Sequence, residues 1–173
     1  MARPSKAKTA KRAATAYHEA GHTVAAFVQG MGIHHVTIIP FAVYDGLTRT
    51  HAPGIKRLDC EKLSPRRAER IRKQTRFSLA GDIAQRRFNP RSVRSRHAEK
   101  DRHNALEWTE LLTHGDTDEA ASLIESLGSE TEKLIDTHWP EVTAIAEALM
   151  QRDTLIGSEV RAIIERLAPD FTT

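Results

Sequence analysis

Nine consecutive residues, Ala16-Tyr17-His18-Glu19-Ala20-Gly21-His22-Thr23-Val24, constrain this chain more than any other stretch. His18 and His22 stand four positions apart, so on a helix they project one above the other from the same face. Ala14, Tyr17, Gly21, Val24, Ala25 and Val28 recur beside them at 3.6-residue spacing. The spacing predicts a helix from about Ala13 to Gln29, stopped by Gly30. Two stacked imidazoles can grip one zinc ion, and Glu19 is placed to draw a proton from a water at that metal. The pattern is HExxH, and its plainer alternative is a surface histidine pair on an ordinary helix. Gly21 inside a helix costs about 1 kcal/mol relative to alanine, so another segment is expected to approach the backbone there.

The rest of the chain reads as mainly α. Residues 1–12 carry repeated lysines and no apolar periodicity, and are expected to form a disordered basic arm ahead of a single domain over 13–173. His34 to Ile39 and Leu47 to His51 are short β-prone runs around Asp45-Gly46, predicting a two-stranded ribbon. In such a ribbon Val36, Thr37, Ile38 and Ile39 are the candidate strand for pairing with an extended substrate backbone; the alternative is a ribbon that only covers the helix. Ser64 caps and Pro65 opens a helix that runs to about Phe88, before Asn89-Pro90. Further helices are expected from about His97 to Thr113, Asp116 to Leu127, Glu130 to Gln151 and Ser158 to Leu167. Gly128 is read as a break, Ser129 with Glu132 as a capping box, and Pro140 as a kink or restart. The sum is about six helices and one small ribbon.

Composition narrows the class. The 173 residues suffice for one domain with its own core. No apolar run approaches the roughly 18 residues of a membrane span, and the basic start lacks the apolar segment of a signal peptide. The single Cys60 excludes an internal disulfide and suits a reducing, cytoplasmic setting. The net charge of +3 conceals a basic stretch over 56–102 and an acidic one over 103–173. A nucleic-acid surface is one reading of that asymmetry; helices of opposite charge packed side by side, within one subunit or between copies of the chain, is the favoured one.

Several motifs together resemble the peptidase domain of the FtsH proteases, the zinc-dependent halves of membrane-bound ATP-driven enzymes. Thr15 to Val24 looks like the active-site helix of that family, Val36-Thr37-Ile38-Ile39-Pro40 like the strand that follows it, and Ser78-Leu79-Ala80-Gly81 like its Leu-Ala-Gly helix. Ala146 to Leu149 and Asp153 to Val160 resemble its closing elements. The likeness covers about residues 13–167. It implies an FtsH-protease-like fold, one Zn2+ per chain, a polypeptide substrate and hydrolysis of peptide bonds. Unlike those enzymes, this sequence contains no GxxxxGK[ST] phosphate loop; the expectation is cleavage of unfolded or extended polypeptides without an ATPase of its own, a separate ATPase being one possible partner.

A catalytic zinc takes three protein ligands and keeps one position open. Asp101 is the chosen third ligand. On a helix from His97 it shares a face with Ala105, Trp108 and Leu112, where a carboxylate is costly unless a cation meets it. The resemblance implies the same position, at the start of the helix after Leu-Ala-Gly. His97, one turn earlier, is the rival ligand, Asp82 a weaker one, and an Arg–Asp101 ion pair the plain alternative. The family carries a Glu shortly after Leu-Ala-Gly where this chain has Gln85, whose amide oxygen can still accept a hydrogen bond from a ligand histidine. The Gly/Ser-Asn that precedes the family's aspartate is replaced here by His97-Ala98-Glu99-Lys100. The expected enzyme is thus a zinc endopeptidase in which His18, His22 and Asp101 hold metal and Glu19 is the base. The alternatives are a metal-holding assembly module and a hydrolase of small amides.

Overall fold

The computed structural model describes residues 6–41, 45–51, 63–92 and 96–167, with side chains from residue 99 onward in the last segment. Its elements, in order, are α1 (Lys6–Val28), β1 (Ile33–Thr37), β2 (Leu47–Thr50), α2 (Pro65–Phe88), a 3-10 turn (Pro90–Ser92), α3 (Arg96–Leu112), α4 (Thr117–Thr137), α5 (Trp139–Arg152), β3 (Thr154–Ile156) and α6 (Gly157–Leu167). The mainly helical expectation holds, with six α-helices among the described residues.

α1 is the central element. Its small buried residues Ala16, Ala20, Val24 and Ala25 join Ala80 and Ala84 of α2, Val142, Ile145, Ala146 and Leu149 of α5, and Val160 and Ile164 of α6 in one core. Small side chains let α1 and α2 cross almost backbone to backbone. A Cβ on Gly21 would stand 2.5 Å from the Ala80 carbonyl oxygen and 2.6 Å from the Ala84 Cβ. That is the close approach expected from a glycine in mid-helix. Tyr17 stacks on Phe88 at 3.9 Å and on Trp139 at 5.5 Å between ring centroids, tying α1 to the end of α2 and the start of α5.

Four expectations need correction. α1 starts at Lys6, not near Ala13, so the described part of the basic arm is helical. Alanine and lysine are good helix formers, and the turn is tethered by Lys11 to Asp45 at 2.9 Å and by Arg12 to Asp153. Residues 1–5 lie outside the described residues. Second, Gly128 does not break α4. The buried positions Ala120, Leu127, Thr131 and Ile135 keep helical spacing across it, and that packing outweighs one glycine. The Ser129–Glu132 pair therefore lies in mid-helix and caps nothing. Pro140 does restart the chain, in the first turn of α5.

Third, the ribbon is a three-stranded antiparallel sheet in the order β2-β1-β3. Leu155 of β3 sits opposite Val36, both fully buried, and Thr37 and Thr154 share a 2.7 Å hydroxyl contact. Three residues are too few to show a period, so β3 is silent in the sequence. The fourth correction follows from it. β1 is the middle strand, so Val36 and Thr37 face a neighbouring strand on both sides, and the Ile38 amide donates to Asp153. Ile39 is half exposed, and its amide is bound to the Thr37 hydroxyl. The stretch Val36–Ile39 therefore cannot take on a further strand; among the described residues the outer edge nearest α1 belongs to β2.

Charge segregation resolves into helix pairing. Basic α2 meets acidic α4 through Arg76 to Glu130 at 2.9 Å and Arg87 to Asp136. Among the described residues no helix is long and apolar enough to cross a membrane.

Candidate metal centre

His18 and His22 are both about 5% exposed, and α1 directs them at α2 and the start of α3. Each ring is held by its Nδ1. His22 Nδ1 lies 2.7 Å from the Phe77 carbonyl, which can only accept, so this nitrogen carries the proton and donates. His18 Nδ1 lies 3.0 Å from Gln85 Oε1. The Gln85 amide is oriented in turn, because its Nε2 donates to the Ser92 carbonyl at 3.0 Å. His18 therefore donates from Nδ1 as well. Gln85 thus accepts the hydrogen bond expected of it, with a neutral oxygen.

With both Nδ1 atoms protonated, each Nε2 presents a lone pair, and the two point at each other and at Asp101. His18 Nε2 and His22 Nε2 are 3.1 Å apart, and Asp101 Oδ2 stands 3.1 Å from the first and 3.2 Å from the second. Three acceptors converging on one point repel unless a cation sits among them. Tetrahedral zinc with bonds of about 2.0–2.1 Å sets its ligand atoms about 3.3–3.4 Å apart, so this triangle needs only a slight opening. Two imidazoles and one carboxylate are also a donor set that zinc commonly takes. The buried group of His18, His22 and Asp101 can hold a metal ion.

Electrostatics agree with the geometry. Burial by itself would lower the His22 pKa, but the Asp101 charge and hydrogen bond, the Glu19 charge and the Phe77 carbonyl together raise it to about 9. Burial would raise the Asp101 pKa, yet His22 and His18 hold it well below the usual carboxylate range. The metal-free site thus retains a positive charge, in the form of a proton.

α2 leaves room for that charge because residue 81 is glycine. A Cβ there would stand 2.4 Å from His22 Nε2 and 2.8 Å from His18 Nε2, in the space the two nitrogens share. Asp101, on the first turns of α3, contacts the histidines rather than an arginine. The neighbouring Arg102 and Arg86 both donate to Asp82 Oδ2 at 2.7 Å, and Asp82 does not join the group of ligand-type side chains that Asp101 completes. His97 falls on a position whose side chain lies outside those described. His34 and His35 pair with each other at 2.7 Å, and His103 and His138 each face a glutamate. Among the described residues, no second group of three ligand-type side chains is gathered.

Glu19 shares a cavity of about 170 Å³ with His18, His22, Gly46, Leu47, Thr48, Phe77, Lys100, Asp101 and Asn104. Glu19, the three side chains that can hold a metal and the start of β2 thus open onto one cleft. Glu19 is 4% exposed, and Thr48 Oγ1 donates to its Oε2 at 2.8 Å. The sequence offers Gly46, Gly81 and Lys100 only as members of motifs, not as site residues, and does not point to Thr48 or Asn104. For Gly81 the signal was present, a second glycine within a helix. For Thr48, on a strand 29 residues from Glu19, no periodicity or spacing points to it.

No protein-family model matches this chain, and no curated protein is significantly similar to it.

Proposed function

We propose that this protein is a zinc metallopeptidase of the kind its motifs resemble. The observation that carries the proposal is the triangle of His18 Nε2, His22 Nε2 and Asp101 Oδ2, 3.1–3.2 Å on a side, opening onto the cleft that holds Glu19. When bound, zinc supplies a Lewis acid that polarises a carbonyl and acidifies water. His18, His22 and Asp101 would hold it, and Gln85 and the Phe77 carbonyl keep the two rings turned to it. Glu19 then takes a proton from the attacking water and passes it to the departing amine. An extended polypeptide would lie along the edge of β2 rather than on β1, since Leu47 and Thr48 line the cleft.

A site that only held metal for structure would have no use for Glu19. A carboxylate buried to 4% exposure that has, among the described residues, one hydroxyl as its hydrogen-bond donor is costly to keep, and an apolar residue would pack there at less expense. That cost favours the enzyme over the metal-holding assembly module. The lone Cys60 suits a reducing compartment such as the cytoplasm. The test is zinc content and cleavage of an unfolded protein by the wild-type chain and by Glu19→Gln. The expected result is about one zinc in each, with cleavage in the wild type alone. Equal cleavage by both refutes the role of Glu19, and zinc without cleavage in the wild type moves the assignment to the assembly module.

A further inference from the structure

Glu19 is held by β2 and by the residue that precedes it. Thr48 Oγ1 lies 2.8 Å from Glu19 Oε2, 3.1 Å from the Glu19 carbonyl oxygen and 3.3 Å from Thr23 Oγ1. A hydroxyl has one proton to give. Thr23 donates its own to the Glu19 carbonyl at 2.7 Å, and the proton of Thr48 goes to the carboxylate, which is the nearer acceptor and the charged one. Thr48 is 8% exposed. Two residues earlier, Gly46 presses its backbone on the same side chain. A Cβ at 46 would stand 2.7 Å from both Glu19 Cγ and Glu19 Oε1, and 2.9 Å from the Thr37 carbonyl.

Resting on the peptidase reading above, we propose that Thr48 and Gly46 are positioning residues for the general base. Thr48 occupies Oε2, and no hydrogen bond reaches Oε1 among the described residues, so Oε1 is the oxygen that takes the water's proton. The Gly46 backbone, lying against Cγ and Oε1, limits how far the carboxylate can turn away from Thr48. The strand whose outer edge would take the substrate backbone is therefore also the element that aims the base. A proton acceptor displaced by about 1 Å can cost roughly 100-fold in rate without weakening substrate binding.

The experiment measures kcat, KM and zinc content for Thr48→Val, Thr48→Ser and Gly46→Ala, using an unfolded protein or a quenched peptide. Thr48→Val keeps the shape and removes the donor, and is expected to lower kcat by about 10- to 100-fold while KM and zinc content stay at wild-type levels. Thr48→Ser keeps the hydroxyl and should retain most of kcat. Gly46→Ala should also lower kcat with zinc retained. The proposal is overturned if Thr48→Val keeps wild-type kcat, if Thr48→Ser is as impaired as Thr48→Val, or if Thr48→Val loses zinc together with activity. A wild-type chain that binds zinc and cleaves nothing overturns the peptidase reading and this one with it. An active wild type with a fully active Thr48→Val overturns this one alone.

Discussion

Gly81→Ala separates the metal site from general stability, and its effect can be worked from the structure. In most helix interiors, replacing glycine by alanine stabilises by about 1 kcal/mol. At position 81 the added Cβ would stand 2.4 Å from His22 Nε2 and 2.8 Å from His18 Nε2, about 1 Å inside ordinary contact. Either α2 withdraws from α1 or the rings swing aside. Withdrawal is resisted by Gly21 lying against Ala80 and Ala84, so relief falls mainly on the imidazoles. Overpacking of this kind costs about 1–3 kcal/mol, which offsets the helical gain and leaves the metal-free protein roughly 0–2 kcal/mol less stable. The metal suffers far more, because both nitrogens move and the space between them is filled. Loss of an orienting group alone weakens metal sites by about 10–100-fold, and displaced ligands should exceed that. The assay is zinc affinity by competition with a chromogenic chelator, beside thermal melts in excess chelator. Gly128→Ala is the control, because nothing lies within 4 Å of a Cβ there. It should raise the melting temperature by about 2–4 °C and leave zinc affinity unchanged. Wild-type zinc affinity in Gly81→Ala would refute the argument that His18 and His22 share one ion over residue 81.

Asp101→Asn should abolish activity and sharply reduce zinc retention, whereas Asp82→Asn and His97→Ala should leave zinc bound; metal analysis after dialysis decides, and loss in His97→Ala alone would move the third ligand there. In the metal-free chain the His22 pKa is raised from 6.5 to about 9, so its stabilising contribution is complete below about pH 6.5 and is lost as pH rises through 9. Melts in chelator should therefore fall in temperature between pH 7 and 10, while zinc-loaded protein, with metal in place of the proton, should fall much less. A metal-free protein that gains stability over that range would contradict the clustered geometry. The 173-residue chain contains no phosphate-binding loop, so it should cut a permanently unfolded protein, spare its folded form and ignore ATP. ATP-stimulated degradation of the folded form by this chain would contradict that expectation.

His18, Glu19 and His22 were legible without a structure because helix geometry is local: four residues along α1 place two rings on one face whatever else the chain does. Ser64-Pro65 and Pro140 announced helix starts for the same reason, each acting within one turn of itself. Asp101 was half legible, as a carboxylate on an apolar helix face, yet its meeting with His18 and His22 depends on how α3 packs against α1. Gly128 misled because a weak local preference for breaking the helix is overruled by Leu127, Thr131 and Ile135, whose burial is supplied by other helices. β3 and its place beside β1 are decided by the return of the chain after α5, and that return removed Val36–Ile39 from the strand edge. Thr48 against Glu19, Gly81 beneath the histidines, and Gln85 turned by Ser92 toward His18 are contacts between residues 7 to 67 positions apart. Spacing along a chain encodes only what one helix or strand brings together; which side chains meet across elements is settled when the core closes.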